Sequence, residues 1–149
     1  MRPAPPGLQN GMDDDALKQL LESARTVAIV GLSTDPEKTS SKIAGILIEA
    51  GYDVIPVHPK ATEILGRRAY ASLADIPVPV DIVDVFRPAE EAEGIARQAV
   101  AIGANVLWLQ LGIASAEART IAADAGLTYL EDICIGATTK RLGNRAAAS

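Results

Sequence analysis

VAIVGLSTDPEKTSSKIAGIL, residues 27–47, is the stretch on which the fold turns. Its first part, extended by one residue to TVAIVG at 26–31, is apolar without alternation, the pattern of a strand covered on both faces. The run ends in Gly31, where a backbone can turn sharply and approach a ligand. After a polar loop, Ile43, Ile46, Leu47 and Ala50 recur at helical spacing and Gly51 follows as a cap, so a helix is predicted from about Ser40 to Ala50. The loop between carries the hydroxyls of Ser33, Thr34, Thr39, Ser40 and Ser41 and the cations Lys38 and Lys42. With the free N–H groups of a helix start, that is how a phosphate site is built, and it is equally how an ordinary capped turn looks.

Outward from this unit the alternation continues. Upstream, DDDALKQLLESA at 13–24 predicts an amphipathic helix led by aspartates, with Leu17, Leu20, Leu21 and Ala24 on one face. Residues 1–12, with three prolines and two glycines, read as a flexible tail. Downstream, YDVIPVHP at 52–59 is a second strand in which Pro56 requires a strand end, a bulge or one-sided pairing. VDIVDVF at 80–86 is a third strand, and Pro88 then opens a helix that Gly103 closes. NVLWLQLG at 105–112 is a fourth strand, followed by a helix capped by Ser115 and by a short fifth strand and loop in LTYLEDICIG. One domain is expected over 13–142, with 143–149 a flexible tail. Strands alternating with single helices mean right-handed βαβ units and one mostly parallel five-stranded sheet. Composition agrees: hydrophobic residues make up 48% and aromatics 3%, so the core is built from Ala, Val, Ile and Leu.

Charge and cysteine content remove whole classes of function. Fourteen basic and nineteen acidic residues give a net charge of −5, the wrong sign for general nucleic-acid binding but no obstacle to a small anion held locally. Cys134 is the only cysteine, which excludes an internal disulfide and a multi-cysteine metal site and fits a reducing, cytoplasmic setting. No run approaches eighteen apolar residues and the start lacks an apolar signal core, so neither membrane spanning nor secretion is expected.

Ligands of parallel sheets bind beyond the carboxyl ends of the strands. That rule selects the loop after Gly31, HPK at 58–60, FRP at 86–88, QLG at 110–112 and the turn around Cys134. Neither the Walker nor the three-glycine dinucleotide pattern is present. Where an NAD site has an acid at the end of the second strand, this chain has Lys60, which attracts a ribose phosphate such as that of NADP or the 3′-phosphate of coenzyme A. His58 is the only histidine and reads as structural; with no GxSxG elbow, no catalytic residue and no metal site is assigned. Arg87 fits a phosphate or carboxylate in bidentate fashion, or else pairs with Asp84, Glu90 or Glu91. Trp108 reads as core, Gln110 and Gly112 as ligand contacts, and Asp81 and Asp84 as solvated or capping carboxylates.

VAIVGLSTDPEKTSSKIAGIL, GYDVIPVHPK, EILGRRAYASLADIP, VDIVDVFRP, ANVLWLQLGI and AGLTYLEDICI follow one another in an order and spacing that resemble the small CoA-binding protein family. The resemblance covers about residues 20–142. Departures include Lys38, Thr39 and Ser40 where the family often has Arg-Pro-Ser, His58 where it often has Asn, and Ala71 where it often has Pro. The family is related to the CoA-binding part of the succinyl-CoA synthetase α subunit and implies a Rossmann-like three-layer α/β/α sandwich. It also implies that Gly31, Ser33, Lys38, Thr39, Ser40 and Ser41 hold the diphosphate. Val57, His58, Pro59 and Lys60 would line the adenosine side, and Phe86, Arg87, Gln110 and Gly112 would border the pantetheine. The synthetase subunit carries a phosphorylated histidine on a second domain, for which no counterpart is expected within these 149 residues. A non-catalytic binder of CoA or acyl-CoA is therefore expected, a sensor or accessory subunit with an unidentified protein partner. The alternatives are an NADP-dependent enzyme and an interaction module with a vestigial pocket. Cys134 is an inert thiol or forms a mixed disulfide with the CoA thiol.

Overall fold

Asp13 starts the first helix by accepting the N–H of Ala16 at 2.8 Å, and α1 (Asp14–Ser23) then buries Leu17 and Leu21. The computed structural model describes residues 12–147; of the tail expected over 1–12, Met12 is partly buried against the core, and residues 1–11, like 148–149, lie outside the described residues. The chain continues through β1 (Thr26–Val30), α2 (Thr39–Glu49), β2 (Asp53–Val57), the short strands β3 (Glu63–Ile64) and β4 (Arg67–Arg68) and a single 3-10 turn (Leu73–Asp75). It ends with β5 (Ile82–Val85), α3 (Ala89–Ala101), β6 (Val106–Leu109), α4 (Ala116–Asp124), β7 (Thr128–Leu130) and α5 (Ile135–Leu142). Five parallel strands make one sheet in the order β2-β1-β5-β6-β7.

Alternate side chains feed two cores. Ile29, Ile82, Trp108 and Leu130 join Leu17, Leu21, Ile43, Leu47 and Ile135 of α1, α2 and α5 on one face. Ala28, Val83, Val85, Leu107 and Leu109 join the alanine-rich sides of α3 and α4 on the other, the arrangement of a three-layer Rossmann-like sandwich. Each fully buried Val, Leu or Ile contributes roughly 1.5–3 kcal/mol, so the two apolar layers dominate stability.

Pro56 lies within β2, and β2 is an edge strand. Val57 O accepts the Gly31 N–H and Asp53 N–H donates to Arg25 O, so the odd-numbered residues face β1. Pro56 faces outward, its missing donor unneeded, and its carbonyl accepts the Tyr70 N–H. One-sided pairing is thus the outcome. The segment that supplies Tyr70 was not anticipated: β3 and β4 form an antiparallel hairpin through Leu65 and Gly66, both at positive φ (55° and 71°). Together with the His58 N–H, which donates to Tyr70 O, it covers part of the free edge of β2.

The carboxyl end also departs from expectation. Beyond β7 a loop was foreseen, yet α5 follows, buried through Ile135, Gly136, Thr138 and Thr139. Glycine and threonine on the buried face leave no apolar period to read. They serve packing instead: a Cβ at Gly136 would come within 3.2 Å of Ile43, so α5 approaches α2 only because the side chain is missing. The tail expected from 143 is docked as far as Ala147. Asn144 is buried and donates to the Tyr52 hydroxyl at 2.8 Å, while Ala146 N–H and Ala147 N–H donate to Ala50 O and Ala24 O. Burial pushes the Tyr52 phenol up to about 12. No helix among the described residues is long and apolar enough to cross a membrane.

Candidate functional site

From β1 the chain crosses to β2 on one side and later to β5 on the other, so the topological switch point lies between β1 and β5. A cleft of about 500 Å³ opens there. Val30, Gly31, Leu32 and Ser33 line it after β1, Val57, His58 and Pro59 after β2, then Ala71 and Ser72, and finally Arg87 with Glu91, Ile95 and Gln98 of α3. Gly31, Ser33, Val57, His58, Pro59 and Arg87 are thereby brought together. Ala71, Ser72, Glu91, Ile95 and Gln98 were not foreseen as lining residues. For Glu91 the signal was present, since it stands four residues after Arg87.

Gly31 has φ +96°, and a Cβ on it would sit 2.8 Å from Arg87 Cδ and 3.1 Å from the Phe86 carbonyl. Only glycine fits, and what approaches its backbone is the arginine stem. The guanidinium is engaged in bidentate fashion: Nε donates to Glu91 Oε1 at 3.1 Å and Nη2 to Oε2 at 2.7 Å. Of the three partners the spacing allowed, Glu91 is the one used. These hydrogen bonds hold the Arg87 pKa above and the Glu91 pKa below their ordinary values. His58 Nδ1 accepts the N–H groups of Lys60 and Ala61 at 3.1 and 2.9 Å, which makes the ring the acceptor of a turn, as a structural role requires. Lys60 is exposed just beyond it.

The hydroxyls of the first loop divide. Ser40 Oγ accepts the Ser33 N–H, and the Ser41 hydroxyl is shared between Ser33 O and Asp35 O at 3.1 and 2.8 Å; both serines are buried. Both side chains knit the loop together. Lys38 and Thr39 are exposed at the start of α2, whose first turn carries no acid and whose leading N–H groups lack intrahelical acceptors.

At β6 and β7 the strand mouth is closed. Gln110 is buried and its Oε1 accepts the Ile135 N–H at 3.1 Å, capping α5. Gly112 N–H donates to Asp132 Oδ1 at 2.6 Å, and Cys134 Sγ accepts the Ala137 N–H at 3.4 Å. Neither Gln110 nor Gly112 lines the cleft, and both are engaged in holding loops. Phe86 is half-buried against the α1, α2 and α5 core, and Trp108 is core, its Nε1–H donating to Ile133 O.

The two aspartates of the third predicted strand part company. Asp81 caps as expected, Oδ2 accepting the N–H groups of Arg25 and Thr26 at 2.8 and 3.0 Å. Asp84 is not solvated: it is fully buried, neither oxygen has a partner, and desolvation pushes its carboxyl well above the ordinary range. Among the described residues no group of three or more His, Cys, Asp or Glu side chains gathers to hold a metal ion.

The CoA binding domain family matches residues 25–140 of this sequence. The chain belongs to this family. It is 39% identical over 119 residues to the uncharacterized protein YneT of Bacillus subtilis, covering 80% of this chain and 88% of that one. A hypothetical protein from Pyrococcus horikoshii superposes with a TM-score of 0.88 at 34% identity, covering 95% of this chain and 99% of that one. The alpha subunit of acetate–CoA ligase (ADP-forming) II of Pyrococcus furiosus is 35% identical over 65 residues, which are 43% of this chain and 14% of that subunit. The CoA-binding fold is thus shared with proteins of this size and with part of a much longer ligase subunit.

Proposed function

We propose that this CoA-binding domain takes up coenzyme A or acyl-CoA as a stand-alone, non-catalytic module with a sensor or accessory role. The observation that carries the reading is the cleft at the β1/β5 switch point, where the Gly31 turn, the end of β2 and Arg87 converge. Ser33, Lys38, Thr39 and the first N–H groups of α2, those of Ser40 and Ser41 included, hold the diphosphate. Val57, His58 and Pro59 receive the adenosine, and Lys60 its 3′-phosphate. Phe86 and the stem of Arg87 border the pantetheine, and the Arg87 guanidinium, in the same cleft as Gly31 and Ser33, faces its diphosphate end. A non-catalytic role is supported by His58, whose Nδ1 serves the turn at Lys60 and Ala61.

Calorimetric titration with CoA, dephospho-CoA, NADPH and ATP at one salt concentration tests this. CoA is expected to bind more tightly than the other three, and Lys60→Gln to bring CoA down to the affinity of dephospho-CoA. Preference for NADPH over CoA would transfer the site to a dinucleotide, and silence toward all four would overturn the reading.

A further inference from the structure

Arg87 is a cation placed where stability gives it little reason to be. It stands one residue before the Pro88 cap of α3, at the positive end of the helix dipole, and precedes its acid by four positions, the weaker order for such a pair. The pairs Lys18–Glu22 and Glu93–Arg97 lie on helix surfaces, whereas Arg87 and Glu91 both line the cleft. The arginine stem crosses Gly31, which keeps the guanidinium beside the mouth of β1 whatever its head group binds.

We propose that Glu91 is an internal occupant of the anion position of the cleft, which a ligand phosphate must displace from Arg87. The deduction rests on the CoA reading for the identity of the ligand and adds to it a residue that sets affinity and selectivity. A tethered carboxylate already in the fork leaves a free monocarboxylate nothing to gain, whereas a phosphate brings more charge and further acceptor oxygens. An exposed pair of this kind is weak, so such an anion displaces it readily. Once displaced, the Glu91 carboxylate remains at the cleft wall and repels the ligand. Glu91 therefore lowers affinity for every anion and disfavours the singly charged ones most.

The experiment is a titration of the full chain with CoA and with inorganic pyrophosphate, using wild type, Glu91→Gln, Glu90→Gln, Arg87→Gln and the double variant Arg87→Gln/Glu91→Gln. Glu91 and Arg87 are exposed, so all are expected to fold, which circular dichroism checks. Glu91→Gln is expected to bind CoA about fivefold more tightly than wild type, the gain that removing one exposed pair supplies. Glu90→Gln, which removes the same charge without freeing Arg87, stays within about twofold. In the Arg87→Gln background the gain shrinks to the effect of the charge alone, within about twofold. Equal or weaker CoA binding by Glu91→Gln, while wild type binds, overturns the displacement and leaves the CoA reading standing. An equal gain from Glu90→Gln overturns it as mere bulk charge. Pyrophosphate held more tightly by Glu91→Gln, with CoA ignored by every form, upholds Glu91 and removes CoA; silence of Glu91→Gln toward both probes overturns both.

Discussion

The mouth of one sheet has two unlike halves. On the β1/β5 side the loops diverge, and Gly31, Val57, His58 and Arg87 border open space. On the β6/β7 side the loops close on each other, Gln110 capping α5, Gly112 donating to Asp132, and Cys134 accepting from Ala137. Both halves satisfy the rule that ligands sit beyond strand carboxyl ends. What separates them is connectivity: crossovers leave the switch point in opposite directions and leave a cleft there, whereas the loop after β7 folds back onto the other half and α5 starts from it. A polar residue at a strand mouth is therefore a ligand contact or a helix cap according to what folds back upon it.

Substitutions can break this contrast. The largest effect is expected from Gly31→Ala, because a residue with a Cβ must hold φ +96° and push Arg87 aside. Such backbone strain costs on the order of 1–3 kcal/mol. Thermal melting should show a Tm lower by roughly 5 °C or more, with CoA binding lost. Next comes Gln110→Leu, which leaves the buried Ile135 N–H without its acceptor and costs about 1–3 kcal/mol. Its CoA affinity should stay within about twofold of wild type, because the closed half only supports the open one. A collapse of affinity at unchanged Tm would show that Gln110 touches ligand and that the contrast fails.

Asp84→Asn probes the layer beneath both halves. A carboxyl whose folded pKa is raised binds its proton more tightly in the native state than in the unfolded one. Its contribution is therefore complete below the unfolded value near 4 and is lost as pH rises toward the folded value. The variant should match wild type near pH 4 and gain on it with rising pH, reaching about 1 kcal/mol or more at neutrality. Denaturant melts across that range check it; a gap that shrinks with pH would mean the carboxylate has a partner. The smallest effect is expected from Cys134→Ser, since serine keeps the cap of α5: stability should move by less than about 0.5 kcal/mol. CoA binding should not change, and a loss would bring the closed half into the site.

Much of this was legible in local pattern. The unalternating run before Gly31 and the helical period after Lys42 read as a covered strand and its crossover helix, and Pro56 narrowed its strand to an end, a bulge or one-sided pairing. Other features had no local signature. The buried side of α5 consists largely of glycine and threonine, whose value is close approach to α2 and not hydrophobicity. Ser40 and Ser41 look on paper like Thr39, yet only Thr39 is exposed, because the inward side of a first helical turn depends on how the loop enters it. Asp84 was legible in principle: in a strand covered on both faces a mid-strand residue of either parity is buried, and VDIVDVF has an aspartate there.

The sequence by itself determined the alternation of strands and helices, the parallel sheet, the sharp turn at Gly31 and the level at which a ligand can enter. Those follow from periodicity and backbone chemistry within a few residues. Only the tertiary structure decided which half of that level stays open, that Arg87 rests across Gly31 in the grip of Glu91, and that residues 143–147 belong to the body of the domain. The reason is that each of these outcomes depends on how separate elements meet in space, as when Gln110 reaches Ile135 or Asn144 reaches Tyr52, a property no local window contains.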